Sequence, residues 1–389
     1  MQRNTLYAKE NRRSGAFRSG ETMDIPFAVI LCLLLVVGLT MLYSASYAQS
    51  RYDTNYESAV RYLSRQAVCA VIGLVAFFLF SVLPVRLWYK LAWPLYWISI
   101  LLLLSVLVIG EEVNGARRWI SIAGIQFQPS ELAKFTLILL FSRLTRDYGP
   151  DSRKFRYGVL GFGCALLGIL IPLALEKHLS AIMLMGMVAV VMMYVAGTDV
   201  RWLLAGGAVA VVFVFVYVRF MGYAGDRVTA WLHPERDPGD TGYQILQSLY
   251  AIGSGGLFGL GLGKSRQKYL YLPFQYNDYI FAVICEELGL VGALIIIGLF
   301  SCLILRGYWI ALRARDRFST VFAAGLITLI AVQTILNLCV VTNLLPSTGI
   351  ALPFFSYGGT ALAVNLGEMG IVAQISRYRN ARSIQEVSL

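Results

Sequence analysis

Three carboxylates mark the entrance to an apolar segment: Asp278, Glu286 and Glu287 in "YNDYIFAVICEELGL", residues 276–290. Asp278 follows Pro273 and stands beside Tyr276 and Asn277, where a long mixed stretch gives way to an apolar run. Two roles fit that position. The side chain can cap a helix N-terminus, which favours its charged form, or serve as a general base for a hydroxyl nucleophile. It is also where a hard divalent cation, Mg²⁺ or Mn²⁺, would sit with a substrate phosphate. Glu286 lies eight residues on, about 12 Å deeper and turned by about 80° along a helix, so it does not share a proton transfer with Asp278. Glu286 and Glu287 are expected to brace the fold through polar groups such as Asn337, Asn343 or Asn365.

A second group occupies "NGARRWISIAGIQFQPSELAKF", residues 114–135. Arg117 and Arg118 precede Trp119, and Ser130 and Glu131 open an apolar segment that holds Lys134. Ser130 and Glu131 suit helix capping. Lys134 is three residues from Glu131, so the two share a helix face and can pair. A lysine at that depth either snorkels to an interface or marks a functional site; with the two arginines it would bind a phosphate-bearing lipid head group.

The third group spans residues 219–278. Tyr243, Gln244, Gln247 and Ser248 offer hydrogen bonds to a large polar ligand, and Lys264, Arg266 and Lys268 place three cations within five residues. That cluster reads either as a solvated strip or as a cradle for a pyrophosphate. Gly263, Lys264 and Ser265 resemble the end of a nucleotide-binding P-loop, but Phe258 stands where the motif needs glycine and no strand precedes it. The fourth group is "TNLLPSTGIALPFFSYGGTALAVNLGEMG", residues 342–370, in which Ser356 is a candidate substrate contact. Pro346, Pro353, Gly358 and Gly359 interrupt an apolar hairpin; such backbone is tolerated at membrane depth where it is buried or lines a cavity.

The elements that must position these groups follow from composition. The 389 residues are 58% hydrophobic and 14% charged, and apolar runs of about 20 residues recur, each the length of a bilayer-spanning helix. An all-α bundle of ten spans is expected near residues 24–46, 67–83, 89–109, 131–146, 157–173, 178–197, 202–219, 278–303, 318–341 and 359–376, with a long loop at 220–277. A basic tail at 1–23 and a short tail at 377–389 flank this membrane domain of residues 24–376. The first apolar segment is too long for a signal-peptide core. With the N-terminus inside, 20 of the 33 Lys/Arg fall in cytoplasmic segments and 12 outside, six of these in the long segment from Arg219 to Lys268. Long loops cross largely regardless of charge, so the bias places both termini in the cytoplasm and the four groups on the outer face.

The net charge of +11 is thereby topological, which argues against a nucleic-acid partner. Six cysteines without a CxxC pair and two histidines, His178 and His233, suggest neither a disulfide framework nor a zinc site.

"GARRWISIAGIQFQPSELAKF", "GDTGYQILQSLYAIGSGGLFGLGLGKSRQKYLYLPFQYNDYIFAVICEELG" and "LLPSTGIALPFFSYGGTALAVNLGEMG" together resemble, in order and spacing, the SEDS proteins (shape, elongation, division and sporulation). The likeness covers residues ~24–376, and "SRQKYLYLP" looks closer to the FtsW division branch or its sporulation relative than to the elongation branch, RodA. The resemblance implies ten spans and a glycosyltransferase that polymerises lipid II into peptidoglycan strands, releasing undecaprenyl pyrophosphate beside a class B penicillin-binding protein. It puts the family's essential acidic residue at Asp278, its lysine at Lys134 and its tryptophan at Trp119. Relatives often carry a proline-aspartate pair where "LEKHLSA" places Lys177 and His178, so the chemistry of that turn differs here. A lipid II flippase using Glu286, Glu287 and Glu368, or a scaffold activating its penicillin-binding partner, is the alternative.

Overall fold

The computed structural model describes residues 22–113, 116–122, 125–208, 229–236 and 241–377. Their principal helices, together with a small sheet, are α1 (Ile25–Asp53), α2 (Arg61–Val82), α3 (Val85–Ile109), α4 (Pro129–Tyr148), α5 (Phe162–Leu175), α6 (Leu179–Val195), α7 (Thr241–Gly255), α8 (Ile280–Leu312), α9 (Arg317–Val341) and α10 (Gly359–Ser376). Among the described residues, six helical stretches are long and apolar enough to cross a membrane: α1, α2, α3, Phe155–Leu175, α8 and α9. The expected seventh span is helical over 200–208 and otherwise lies outside the described residues, as do residues 1–21, 378–389 and parts of the 220–277 loop.

Local chemistry sets several helix ends. Asp24 accepts from Phe27 N at 3.1 Å and Asp316 from Ser319 N at 3.1 Å, each satisfying a first-turn donor. The Asp24 carboxylate also accepts from Nε and Nη2 of Arg306, each at 2.9 Å, and the Asp24 N–H donates to Ser376 Oγ. The start of α1 and the ends of α8 and α10 are thereby pinned at one end of the bundle. Arg317, opening α9, donates to Ala196 O after α6 at that same end.

The helices therefore run up and down, and the four sequence groups converge at the opposite end. α9 is the axis: 72% of its apolar window is buried, against 28–39% for the other five. α4 is buried along most of its length although Glu131, Lys134 and its serines and threonines lower its hydropathy.

Between α3 and α4 lies a three-stranded antiparallel meander, β1 (Glu111–Val113), β2 (Ala116–Ile122) and β3 (Ile125–Phe127). The sequence carries a hairpin signal there, Asn114-Gly115 between β1 and β2. The apolar context of the flanking spans hides it.

α8 breaks at Gly289, whose φ of 67° and ψ of −168° leave the helical region. Leu260 and Gly261 N–H groups donate to Glu286 and Glu287 carbonyls, while Leu290 and Val291 N–H groups donate to Gly256 and Leu257 carbonyls. The segment after α7 thus takes over the helix bonds that the break leaves open.

Candidate active site

Residues 342–358 enter between helices and return. Phe354 O lies where a Cβ on Gly38 of α1 would clash, and Phe354 and Phe355 pack on Phe300 of α8. The segment is re-entrant, as its prolines and glycines led us to expect, and it forms the scaffold for Asp278.

Three consecutive carbonyls are held there. Tyr357 N donates to Tyr276 O at 2.8 Å, Ser356 Oγ to Asn277 O at 2.6 Å, and the fully buried Asn337 of α9 donates from Nδ2 to Asp278 O at 2.7 Å. Asn337 reaches Ile350 O as well, at 2.8 Å, and Ser356 Oγ accepts from Leu352 N. The backbone is fixed, and the half-buried Asp278 side chain points at Gly349, where a Cβ would stand 3.8 Å from Oδ2. The residue at the cap position of α8 is Tyr279, which makes no side-chain cap bond. Ser356, expected to touch ligand, is buried and braces this turn.

Across residues 348–349 stands the second group. Ser180 Oγ, at the start of α6, donates to Thr348 O. Two residues earlier stands the half-buried His178, with Arg118 and Lys134 within electrostatic reach. Burial raises the Glu176 carboxyl to about 8, with Arg118 opposing. Arg118 Nη2 donates to Lys177 O at 2.5 Å.

Lys134 and Glu131 form the expected ion pair at 2.7 Å, both buried. Glu368 of α10 lies within electrostatic reach of both. Glu176 joins this group from a turn whose sequence flags only its neighbours, Lys177 and His178. Ser130 sits inside the first turn of α4; the cap is Gln128, without a side-chain bond. Arg117 faces outward and pairs loosely with Glu112 at 3.7 Å, and Trp119 is half-buried on β2.

The third group divides. On α7, Tyr243 and Gln247 are half-buried, Gln244 Nε2 donates to Pro273 O at 3.1 Å, and Ser248 Oγ to Val341 O at 2.9 Å. Lys264 and Arg266 are exposed. Lys268 is not: it is 2% exposed and pairs with Glu287 at 2.9 Å, with Ser44 of α1 also in reach at 3.0 Å. The three-cation cradle is therefore two cations and one buried counter-ion.

Glu286 accepts from the Arg266 and Gln267 N–H groups and from Ser265 Oγ. The bracing role expected of Glu286 and Glu287 holds, but their partners are the 265–268 loop and Ser44. The asparagines serve elsewhere: Asn337 holds Asp278, and Asn343 O accepts from Trp231 Nε1.

Residues 25–381 match the FtsW, RodA and SpoVE cell cycle protein family. The chain belongs to this family. It is 38% identical over 367 residues to a probable peptidoglycan glycosyltransferase FtsW of Trichlorobacter lovleyi, covering 92% of this chain and 94% of that protein. It is 38% identical to stage V sporulation protein E of Bacillus subtilis (91% and 97% covered) and 36% identical to the peptidoglycan glycosyltransferase MrdB of Escherichia coli K12 (96% and 99%).

Among solved structures, a chain from a study of how a peptidoglycan synthase complex coordinates polymerisation and crosslinking is similar with a TM-score of 0.78 at 30% identity, covering 92% of this chain and 99% of that one. The RodA rod shape determining protein of Thermus thermophilus is similar at 0.68 and 29%, covering 92% and 98%. The SEDS resemblance stands, and the protein is a multi-pass membrane protein.

Proposed function

We propose that this protein is a peptidoglycan glycosyltransferase that polymerises lipid II at the outer face of the bacterial cytoplasmic membrane, with both termini in the cytoplasm and a class B penicillin-binding protein as partner. The observation that carries the site assignment is the clamp on Asp278: three consecutive carbonyls held by Tyr357, Ser356 and Asn337 present one half-buried carboxylate at a helix mouth. Such preorganisation is what a positioned general base needs. Asp278 takes the proton of the acceptor 4-hydroxyl as its oxygen attacks the donor's anomeric carbon. The bond to the pyrophosphate breaks, and undecaprenyl pyrophosphate leaves with the electron pair.

Lys134, Arg118 and Arg117 with Trp119 serve the lipid head group, and Lys264 and Arg266 supply further charge for the departing pyrophosphate. Tyr243, Gln244 and Gln247 line the approach for the sugars. Among the described residues no three His, Cys, Asp or Glu side chains group to hold a metal. A Mg²⁺ or Mn²⁺ ion at Asp278 would draw its other oxygen ligands from substrate phosphate and water, the usual habit of Mg²⁺, and would neutralise pyrophosphate charge.

The test is strand formation from purified lipid II with the penicillin-binding partner present. Asp278→Asn keeps the shape and removes the base, and a loss of at least ~10²-fold in rate is expected. Equal polymer from both proteins removes Asp278 from the chemistry. No polymer from either favours transport or scaffolding, although Glu286 and Glu287, which would serve a transport path, are committed to the 265–268 loop.

A further inference from the structure

Where α1 emerges at the site end, Tyr47, Arg51, Tyr52 and Tyr56 meet Tyr269 and Leu270 around an open pocket of about 430 Å³. The size falls in the ~300–1,000 Å³ range of small-molecule sites. Tyr52, Tyr56 and Tyr269 are 61%, 70% and 53% exposed. Arg51 is among the lining residues, its guanidinium 5.9 Å from the Tyr47 ring centre and 5.6 Å from that of Tyr56, and donates to Tyr47 Oη at 3.1 Å. Isolated tyrosines at a span end are ordinary interface anchors. These four rings come from two segments more than 200 residues apart. Tyr56 and Leu270 adopt left-handed backbone, φ 69° and 68°, a conformation that costs bulky residues about 1–3 kcal/mol.

The pocket is tied to the Asp278 turn. Asp53, in the same last turns of α1, accepts from Tyr62 Oη at 2.5 Å, and Tyr62 Oη lies 3.3 Å from Tyr276 Oη, two residues before Asp278. The Tyr269 side of the pocket follows Lys268, which Glu287 holds inside; the Lys268 ammonium lies 5.8 Å from the Tyr269 ring centre.

We propose that this pocket is a saccharide subsite that grips the growing amino-sugar strand a few residues away from the reacting end. Exposed tyrosines offer an apolar face and a hydroxyl tip, which matches the C–H face and hydroxyl edge of a pyranose, and Arg51 supplies directed donors for its acetamido and hydroxyl oxygens. The assignment rests on the glycosyltransferase reading, and it gives that reading processivity: a strand held at a second point stays bound between additions.

The test uses the full chain in detergent and a soluble β-1,4-linked N-acetylglucosamine hexamer, with binding read by saturation-transfer NMR. Tyr52→Ala with Tyr56→Ala should weaken hexamer binding at least tenfold, whereas Tyr52→Phe should hold it within twofold. With lipid II and the penicillin-binding partner, the double variant should give shorter strands at an unchanged initial rate. Hexamer binding equal to wild type overturns the proposal, as does a variant that loses only stimulation by the partner, which would make the surface a protein contact. If the wild type makes no strand while the tyrosine variants still lose the hexamer, the glycosyltransferase reading falls and the saccharide site stands.

Discussion

Lys268 and Glu287 show how far a single side chain can depart from its sequence context. The spacing of Lys264, Arg266 and Lys268 reads as one cationic strip, yet the third is sealed in the core against a carboxylate of α8 and a serine of α1. Removing one partner of a buried pair leaves an uncompensated charge, which costs about 3–5 kcal/mol. Lys268→Met should lower the thermal midpoint in detergent sharply, and adding Glu287→Gln should restore most of it. Equal destabilisation by the double change would mean that Lys268 contributes through packing alone. Asp278 is the contrary case, flagged by its sequence and found on a clamped turn. Its clamp was not legible, because Asn337 and Ser356 are 59 and 78 residues away along the chain.

At the scale of elements, the break in α8 links the Gly-rich loop to the bundle. Gly289 combines positive φ with ψ near −168°, a region essentially confined to glycine, and a Cβ there would stand 2.3 Å from Gly259 N. Gly289→Ala should therefore destabilise the protein by at least ~3 kcal/mol, at or beyond the upper end for single substitutions. Gly298→Ala, where a Cβ meets nothing within 4 Å, should be neutral or slightly stabilising. Thermal unfolding of the pair compares them directly, and similar midpoints would show that the crossing relaxes. The glycines of residues 255–263 and the carboxylates of α8 are each plain in the sequence. Their four reciprocal backbone bonds have no side-chain pattern to betray them.

For the whole molecule, the basic loops predict that both termini face the cytoplasm. A fluorescent protein fused after Leu389 should fluoresce in cells, and alkaline phosphatase at the same point should be inactive; the reverse pair of outcomes would invert the bundle and move Asp278 inside. The sequence by itself determined a membrane bundle of apolar helices and the spacing of Asp278, Glu131 and Lys134 along the chain, because hydropathy, charge and helix period are local quantities. Only the tertiary structure decided which polar groups meet: Asn337 with Asp278, Lys268 with Glu287, Arg118 with the 176–178 turn, and α1's tyrosines with Tyr269. A buried polar group takes its partner from whatever packing brings within about 3 Å, and distance along the chain carries no record of that.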